Sequence, residues 1–462
     1  MPFEALKQIV GPGGWFDDAE RLVPHLTEWR GTWVGKTPLL LMPDSTGQVS
    51  RIVTVCAEQG IGIVPQGGNT GLCGGAIPDQ SGTQVILSLS RLNRIRSLSA
   101  DNFSMIAEAG CVLADLQSAA MHANRLFPLS LAAEGSCQIG GNLATNAGGI
   151  NVLRYGTARD QVLGLEVVLP DGSVLSALRE LRKDTAGYDV KQLFLGSEGT
   201  LGIITAAALR LHPALPGLRT AMFAVDSPTQ ALALFAFLRE RSLDQLQAFE
   251  LLSERAMQLV VAHVAATAHP FSAAADWYVL LDVACDEDSQ RVDELLLTAM
   301  QAGLAKDAVI ARNESERDRL WRIRHSVSEA QKREGASLKH DVSVPISAIG
   351  EFIETATRAT KTVCADSRIV AFGHVGDGNI HFNVSQPAAW DARRFLELRE
   401  PMARVVHDIV EGLGGSFSAE HGVGVLKKSE LRRYRGGTEL ALMRTLKATL
   451  DPGNIMNPGK VL

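Results

Sequence analysis

The architecture of this chain is set by the run Pro65-Gln66-Gly67-Gly68-Asn69-Thr70-Gly71-Leu72-Cys73-Gly74-Gly75. It directly follows the apolar stretch Ile61–Pro65, which predicts a buried strand. Glycines after a strand let backbone N–H groups approach an anion closely, and they tolerate the positive φ angles that a concave loop needs. Taken alone, the run fits a tight turn about as well as an anion site, because glycine clusters are common turn formers.

Two further glycine-rich blocks lie downstream, at Gly135–Gly149 and Gly196–Gly202. Both interleave the glycines with Asn, Ser or Thr, and three such blocks within about 140 residues favour an extended, phosphate-bearing ligand over three unrelated loops. The motifs G-x-G-x-x-G and G-x-x-x-x-G-K-[ST] do not occur, which disfavours a Rossmann dinucleotide site and a P-loop.

Strand and helix patterns surround the first block. Pro38–Pro43 predicts a short buried strand, and Ser45–Gln59 predicts a helix capped by Ser45 or Thr46. The expected buried face of that helix carries Val49, Ile52, Val53 and Cys56. With the strand at Ile61–Pro65, this order gives a β-α-β unit.

Strand patterns dominate from Val85 to Leu211, where Pro170-Asp171-Gly172-Ser173 predicts a hairpin turn. Farther along, long helical patterns such as Pro228–Ser242 alternate with strands, so we place a domain boundary near Pro216. The last forty residues are predicted to be mostly helical.

Composition limits the classes of protein to consider. A chain of 462 residues is too long for one hydrophobic core and predicts two or three domains. A net charge of −6 and an aromatic fraction of 5% argue against nucleic-acid binding, which needs basic surfaces and stacking side chains.

Three observations predict a cytoplasmic location. The six cysteines form no C-x-x-C pair, and scattered thiols are typical of a reducing compartment. Met1–Lys7 has no basic region leading into an apolar run, so we expect no signal peptide or transit segment. The longest stretch without charged side chains, Ala256–Ala275, contains His263, His269 and Pro270, so we expect no transmembrane segment.

A second cluster of chemically active residues lies near the C-terminal end. Two histidines flank a Gly-Asp-Gly turn in the run from His374 to His381, and the adjacent pair Glu420-His421 follows. A strand, a turn and a second strand would bring the two histidines together. Two imidazoles and a carboxylate suit a catalytic divalent metal with open positions. From the residues alone, however, structural histidines with backbone partners are the stronger interpretation.

The three glycine-rich blocks resemble the FAD-binding domain of the vanillyl-alcohol oxidase (PCMH) type of flavoprotein. The likeness is closest to the FAD-linked 2-hydroxy acid dehydrogenases and extends over nearly the whole chain. It implies an α+β fold with a two-part FAD-binding domain over residues 1–215 and an α+β substrate-binding (cap) domain over residues 216–420. A C-terminal helical segment over residues 421–462 would return to the flavin.

The resemblance also implies which residues hold FAD. Gly67–Thr70 and Gly140–Asn142 would hold the pyrophosphate, and residues around Thr145, Gly149 and Ile204 would flank the ring, ribityl or adenine parts. The full expected set is Pro65, Gln66, Gly67, Gly68, Asn69, Thr70, Gly71, Gly74, Gly135, Ser136, Gly140, Gly141, Asn142, Thr145, Gly149, Glu198, Ile204 and Asn457. Some members attach FAD covalently through a histidine in the first loop. This chain has Asn69 there, so we expect FAD to be bound non-covalently.

For the second cluster, the resemblance implies that His374, His381 and Glu420 bind a divalent metal, for which we expect Zn²⁺, and that His421 is the catalytic base. The implied substrate-binding residues are Arg324, Ser328, Lys339, Asn383 and His421. The distal carboxylate of a dicarboxylic acid would be bound by Arg324, Ser328 and Lys339. Relatives have Thr at the position of Ser328, and both side chains donate a hydroxyl. Without the resemblance, Arg324 and Lys339 would be interpreted as solvated surface charges.

These expectations predict FAD- and metal-dependent oxidation of D-2-hydroxyglutarate to 2-oxoglutarate. Electrons would pass to an electron-transfer flavoprotein or a quinone, since no NAD motif is present.

A dehydrogenase for D-lactate or a broader range of D-2-hydroxy acids would use the same residues. A non-catalytic flavin-binding subunit of a glycolate-oxidising complex would not need the metal ligands, and a metal-dependent hydrolase would leave the glycine blocks unexplained. We expect a homodimer.

Overall fold

The computed structural model describes residues 2–285 and 290–462. The described chain folds into two compact units. The first comprises the chain up to Gly148 together with Gly156–Ala214 and Glu420–Leu462, and the second comprises Gly149–Tyr155 and Leu215–Ala419. Both units combine helices with β-sheets, which confirms the predicted α+β class.

Helices occur along the whole chain. Within the described residues they are α1 (Pro2–Val10), α2 (Ala19–Leu26), α3 (Thr46–Gln59), α4 (Leu113–His122), α5 (Ile139–Ala144), α6 (Val152–Tyr155), α7 (Pro228–Arg241), α8 (Glu254–His263), α9 (Gln290–Gln301), α10 (Glu314–Lys332), α11 (Ile349–Val363), α12 (Ala392–Leu396), α13 (Arg399–Gly412), α14 (Lys428–Tyr434) and α15 (Thr438–Leu450).

The strands alternate with these helices. In the described parts of the chain they are β1 (Trp15–Phe16), β2 (Leu40–Leu41), β3 (Ile63–Gln66), β4 (Val85–Ser88), β5 (Ile95–Ser99), β6 (Ser104–Glu108), β7 (Arg125–Leu126), β8 (Val162–Val168), β9 (Val174–Ala177), β10 (Ile203–Arg210), β11 (His212–Pro213), β12 (Gly217–Val225), β13 (Leu246–Ser253), β14 (Trp277–Cys285), β15 (Asp307–Ile310), β16 (Ser337–Ser343), β17 (Arg368–His374) and β18 (Asn379–Ser385).

Two larger sheets organise the first unit. One has the strand order β1-β2-β4-β3, in which β2, β4 and β3 are parallel, and the other is antiparallel with the order β5-β6-β10-β8-β9. Helix α3 covers the first sheet, and its buried residues are Val49, Ile52, Val53 and Cys56. The Ser45 hydroxyl accepts a hydrogen bond from the Gln48 N–H, so the predicted cap and buried face are confirmed.

The predicted hairpin turn is also present. It joins β8 and β9, and the Leu169 N–H donates to the Ser173 carbonyl at 2.9 Å. Gly172 has a φ of +83°, and a Cβ there would lie 2.1 Å from the Thr54 hydroxyl oxygen. Because an L side chain rarely adopts this φ and has no room here, the turn requires glycine.

The C-terminal segment is part of the first unit. After α14 and α15, the chain runs parallel to β3, where the Ile63 N–H donates to the Ile455 carbonyl at 2.7 Å and the Asn457 N–H donates to the Ile63 carbonyl at 2.8 Å. The mostly helical character that we predicted is confirmed for Lys428–Leu450, and the tail then extends the edge of the first sheet.

The second unit is built on one antiparallel sheet. Its described strands have the order β15-β12-β14-β13-β17-β18-β16. Helices α7, α9, α11 and α13 pack on one face, and α8 and α10 pack on the other. Both faces are therefore covered, which explains why strands such as β13 and β14 are buried almost throughout.

Candidate active site

An open cleft lies in the first unit, and all three glycine-rich blocks contribute to its walls. Of the expected FAD-contacting residues, Pro65, Gln66, Gly67, Gly68, Asn69, Thr70, Gly71, Gly140, Gly141, Asn142, Thr145, Glu198 and Ile204 line it, and so does His421.

The other five expected residues are not among those that line the cleft. Gly74 packs on Trp33, whose ring would lie 3.3 Å from an added Cβ. Ser136 supports the first loop through its backbone, and Gly135 precedes it. Gly149 belongs to the second unit, and Asn457 acts on the loops that form the walls.

Glycine is required at two points, where the first block touches the second and where the second block packs on Ala109 just after β6. A Cβ on Gly68 would lie 2.0 Å from the Ser136 carbonyl oxygen, and a Cβ on Gly140 would lie 2.6 Å from the Ala109 Cβ. By contrast, a Cβ on Gly71 or Gly141 would meet no described atom within 4 Å. The blocks are thus tightly packed on one side and leave their backbones accessible from the cleft, which suits a bulky anionic ligand.

Polar atoms in the cleft also fit such a ligand. The Gln138 side-chain carbonyl oxygen is buried at the cleft wall, and no described group bonds to it. A buried polar atom without a partner costs free energy, so a ligand that donates a hydrogen bond there would remove a penalty. The Asn69 amide instead donates to the carbonyls of Pro24 and Thr27 at 3.2 and 3.1 Å, which holds the first loop in place.

Glu198 has a role in the cleft that the sequence patterns do not indicate. Its carboxylate accepts hydrogen bonds from the N–H groups of Val423 and Gly424 at 2.7 and 2.8 Å. Burial raises the pKa of this carboxyl group, although the two N–H donors act in the opposite direction. The contact fixes the turn that immediately follows His421, and His421 lines the cleft.

Asn457 fixes the same region from the C-terminal tail. Its side-chain amide donates to the carbonyls of Gly75 and Glu198 at 2.9 and 2.8 Å. Asn457 is buried and has a φ of 42°, a conformation that asparagine tolerates better than most residues. The tail therefore ties two of the glycine-rich loops together.

The second unit brings His374 and His381 together. They lie on β17 and β18, which are joined by a 3₁₀ turn over Val375–Asp377 and by Gly378 with a φ of +87°. The two imidazole ring centres are 5.6 Å apart. The predicted strand, turn and second strand are therefore confirmed, and both rings lie on the sheet face that α10 covers.

Glu250 on β13 lies beside His374, and no sequence pattern indicates this contact. One carboxylate oxygen lies 2.6 Å from His374 Nδ1, and the other accepts a hydrogen bond from Arg324 Nε at 2.7 Å. Burial alone would raise the pKa of Glu250, but the charges of His374 and Arg324 lower it to about 2. An ionised carboxylate only accepts hydrogen bonds, so Glu250 is the acceptor when His374 Nδ1 carries a proton.

The expected substrate-binding residues of the second unit lie near these histidines. Arg324 on α10 is buried, and Ser328 is exposed one helical turn later on the same helix face. Lys339 on β16 is directly opposite Asn383 on β18, two residues beyond His381. The Asn383 amide donates to Gln331 of α10 at 2.8 Å, so α10 and β18 are linked at this point.

The expected third metal ligand, Glu420, begins the segment that returns to the first unit. The residue before it, Ala419, donates its N–H to the Asp341 carbonyl at 3.2 Å, and Asp341 pairs with His381 across β16 and β18. Ala419 and Glu420 are joined by one peptide bond, so their Cα atoms are about 3.8 Å apart. The metal role of Glu420 stays a prediction.

Family models match most of the chain. A model described as an FAD binding domain matches residues 37–177, and one described as the C-terminal domain of FAD linked oxidases matches residues 217–461. The first match includes the first two glycine-rich blocks, and the second includes the two histidines and the pair Glu420-His421.

Full-length relatives have related names. A probable mitochondrial D-2-hydroxyglutarate dehydrogenase of Oryza sativa subsp. indica is 37% identical over 460 residues, which cover 99% of this chain and 80% of the relative. A D-2-hydroxyglutarate dehydrogenase of Xanthomonas citri pv. viticola is 37% identical, with coverage of 94% and 91%. A D-2-hydroxyglutarate–pyruvate transhydrogenase of Saccharomyces cerevisiae is 32% identical, with coverage of 96% and 90%.

Solved structures support the fold. The chain superposes on p-cresol methylhydroxylase with a TM-score of 0.80 at 17% identity, which covers all of this chain and 96% of the other. At such low identity the likeness concerns the fold alone.

The predicted cytoplasmic location is wrong by comparison with these relatives. The plant and animal relatives are mitochondrial proteins, which points to mitochondria, while the Xanthomonas relative is bacterial. The prediction depended partly on unpaired cysteines, and free thiols indicate reducing surroundings without distinguishing one compartment from another. Among the described residues, the helices are too short or too polar to span a bilayer.

Proposed function

The chain belongs to the family of FAD-linked oxidases, and we propose that it oxidises D-2-hydroxyglutarate to 2-oxoglutarate with FAD and a divalent metal ion. One observation carries this proposal: the candidate base, His421, lines the same cleft as the three glycine-rich blocks. A group that can accept a proton is thereby placed in the wall of the expected cofactor site. The names of the full-length relatives support the choice of D-2-hydroxyglutarate as the substrate.

In this proposal FAD binds non-covalently in the cleft of the first unit. The open backbones of Gly71 and Gly141 and the unpaired oxygen of Gln138 fit a large ligand with phosphate and polar groups. Bound FAD supplies the acceptor for the hydride that leaves Cα of the hydroxy acid.

His374, His381 and Glu420 are the proposed ligands of the divalent metal, with Zn²⁺ as the first candidate. Two imidazole nitrogens and one carboxylate match the ligand preference of a catalytic zinc site. The Glu250 contact occupies His374 Nδ1, so the ligating atom would be Nε2, which lies 3.4 Å from Arg324 Nη2 in this structure. A bound divalent ion supplies positive charge that lowers the pKa of a ligated hydroxyl group.

Arg324, Ser328 and Lys339 would bind the distal carboxylate of the substrate. Arginine offers two parallel N–H donors, lysine adds a point charge, and serine adds a neutral donor. Asn383, opposite Lys339 on the neighbouring strand, would orient the bound acid through its side-chain amide. These groups give a reason for the enzyme to prefer a dicarboxylic acid over D-lactate.

His421 would take the proton of the 2-hydroxyl group as the Cα–H bond breaks. An imidazole accepts a proton readily near neutral pH, and the Glu198 contact holds the turn after His421 in one conformation. Removing one proton and one hydride converts the alcohol to the 2-oxo acid, so protons and electrons balance. A second substrate would have to take up the two electrons to complete the cycle.

For that second substrate we propose an electron-transfer flavoprotein or a quinone. The yeast relative, by its name, passes electrons to pyruvate, so pyruvate is the competing candidate. Turnover assays with each acceptor, and with NAD⁺ as the expected failure, distinguish these possibilities. We also propose a homodimer, which sedimentation of the purified protein tests.

An anaerobic absorption experiment tests the proposed function directly. The purified, zinc-supplied protein is mixed with D-2-hydroxyglutarate, and D-lactate and the L-isomer are run alongside. We expect the flavin band to bleach rapidly with D-2-hydroxyglutarate only. Equal bleaching by D-lactate would change the assignment to a broader D-2-hydroxy acid dehydrogenase. A band that no acid bleaches would favour a non-catalytic flavin subunit, and a colourless protein would exclude both.

A further inference from the structure

Glu250 is a buried carboxylate with both oxygens engaged by groups of the proposed active site. It is 1% exposed, and its partners, Arg324 and His374, are 74 and 124 residues away in sequence. The β13–β17 ladder pairs Glu250 directly with His374, so the backbone fixes this contact. Arg324 approaches from α10, which packs on the same sheet face.

Glu250 carries a charge in a strand that is otherwise uncharged and fully buried. All eight residues of β13 are buried, and Glu250 is the acidic residue among them. Burying an ion pair seldom adds stability compared with a well-packed apolar pair of similar size. A carboxylate in this strand therefore needs an explanation in the site that it contacts.

Arg324 is held in place at one edge and lies between three groups. Its Nε donates to Glu250 at 2.7 Å, its guanidinium lies 4.9 Å from the centre of the Phe372 ring, and its Nη2 is 3.4 Å from His374 Nε2. Because Glu250 binds at Nε, the guanidinium is held in one orientation, with Nη2 directed toward His374.

We propose that Glu250 is a positioning residue that orients both the metal ligand His374 and the carboxylate anchor Arg324. This inference depends on the proposed function for the identity of the metal and the acid. One carboxylate then sets two properties together, the metal affinity through the His374 ring and the preference for a dicarboxylic acid through the Arg324 guanidinium. Groups that orient ligating histidines in this way commonly change metal affinity by about 10- to 100-fold.

The variant Glu250→Gln tests the proposal because it keeps the shape and removes the charge. A glutamine offers one oxygen and one NH₂ group, so it can bond to Arg324 and His374 together only if His374 Nδ1 becomes the acceptor, which moves the ring proton to the ligating Nε2. Metal-free protein is titrated with Zn²⁺ against a chromogenic chelator, and KM is measured for D-2-hydroxyglutarate and D-lactate. We expect Zn²⁺ affinity to fall about 10- to 100-fold and the KM ratio to shift toward D-lactate.

Asp282→Asn is the matched control. Asp282 is a buried carboxylate on the neighbouring strand β14, and it accepts hydrogen bonds from Arg317 and Trp321 of the same helix α10. The change removes an ion pair at another point of the same interface, in which the carboxylate is similarly buried and the arginine is more exposed. We expect this variant to keep the wild-type Zn²⁺ affinity and the wild-type KM ratio.

Wild-type Zn²⁺ affinity together with an unchanged KM ratio in Glu250→Gln would overturn the proposal. An equal loss of Zn²⁺ affinity in Asp282→Asn would reduce Glu250 to a packing residue and also overturn it. If Glu250→Gln does not fold, Glu250→Asp, which keeps the charge but shortens the reach, is measured in the same way. The Zn²⁺ titration needs no substrate, so it separates this inference from a failed assignment of D-2-hydroxyglutarate.

Discussion

At the scale of single residues, His421 is the side chain on which the proposed chemistry depends most directly. We expect His421→Asn to lower kcat by about 10²- to 10⁴-fold, the usual contribution of a positioned general base. The flavin band should be unchanged, because one lining residue contributes little to a ligand that three loops hold. Stopped-flow reduction of bound FAD by D-2-hydroxyglutarate measures this. The exposed His122 of α4, changed to Asn, is the control and should behave as wild type.

Lys339 allows a sharper test of substrate preference. A hydrogen bond to a charged group is worth about 1.5–3 kcal/mol, so we expect Lys339→Met to raise KM for D-2-hydroxyglutarate by about 10- to 150-fold. D-lactate has no distal carboxylate and should be oxidised with nearly unchanged kinetics. Lys332→Met, on the exposed end of α10, serves as the comparison. If Lys339→Met raised KM equally for both acids, Lys339 would not bind the distal carboxylate.

At the scale of elements, the turn after His421 depends on a distant carboxylate. Glu198→Ala leaves the N–H groups of Val423 and Gly424 without their acceptor, and an unsatisfied buried donor costs about 1–3 kcal/mol. We therefore expect the turn to loosen and the rate of flavin reduction to fall about 10- to 100-fold. The exposed Glu58 of α3, changed to Ala, is the control. Wild-type reduction by Glu198→Ala would show that His421 needs no such support.

A second test concerns the antiparallel sheet of the first unit. Glu108 of β6 is buried and pairs with Arg94 and Arg96. Burial raises the pKa of Glu108, but the two guanidinium groups outweigh this effect and lower the pKa overall. A carboxyl group with a lowered folded pKa stabilises the protein above its unfolded pKa of about 4.3, and this stability is lost as the pH falls toward the folded value.

Glu108→Gln should therefore melt about 3–12 °C below wild type at pH 7, since a hydrogen bond to a charged group contributes about 1.5–3 kcal/mol. The difference should shrink as the pH falls below about 4.3, where wild type also loses the charge. Release of FAD fluorescence on heating measures the first unit specifically, since the cleft lies there. A difference that stays constant with pH would show that the lost packing, not the charge, causes the effect.

The sequence predicts those elements whose signals are local. The Ser45 cap with its buried helix face, the Pro170–Ser173 turn and the two strands that carry His374 and His381 each depend on a few neighbouring residues. The Glu250 contacts depend on pairing between β13 and β17, more than 100 residues apart, which no local pattern encodes. One signal was available, because a single acid inside the buried run Leu246–Ser253 is costly unless it has partners.

For the molecule as a whole, the proposed reaction requires two sets of residues to be complete. The cofactor cleft is built entirely from residues of the first unit, and His374 and His381 belong to the second. FAD retention and metal content are therefore expected to vary independently. This separation makes metal removal informative, because the flavin reports whether the first unit is intact while the metal is absent.

Dialysis against a chelator should thus leave the flavin spectrum unchanged and abolish its bleaching by D-2-hydroxyglutarate. Added Zn²⁺ should restore bleaching, and His381→Ala should not be rescued, because it lacks one of the two imidazole ligands. Removal of Zn²⁺ from the Glu250→Gln variant should require a lower chelator concentration than removal from wild type, because Glu250 no longer orients the His374 ring. Full activity of metal-free protein would contradict the metal site while leaving the FAD cleft in place, and the oxidation would then depend on His421 and the carboxylate anchors alone.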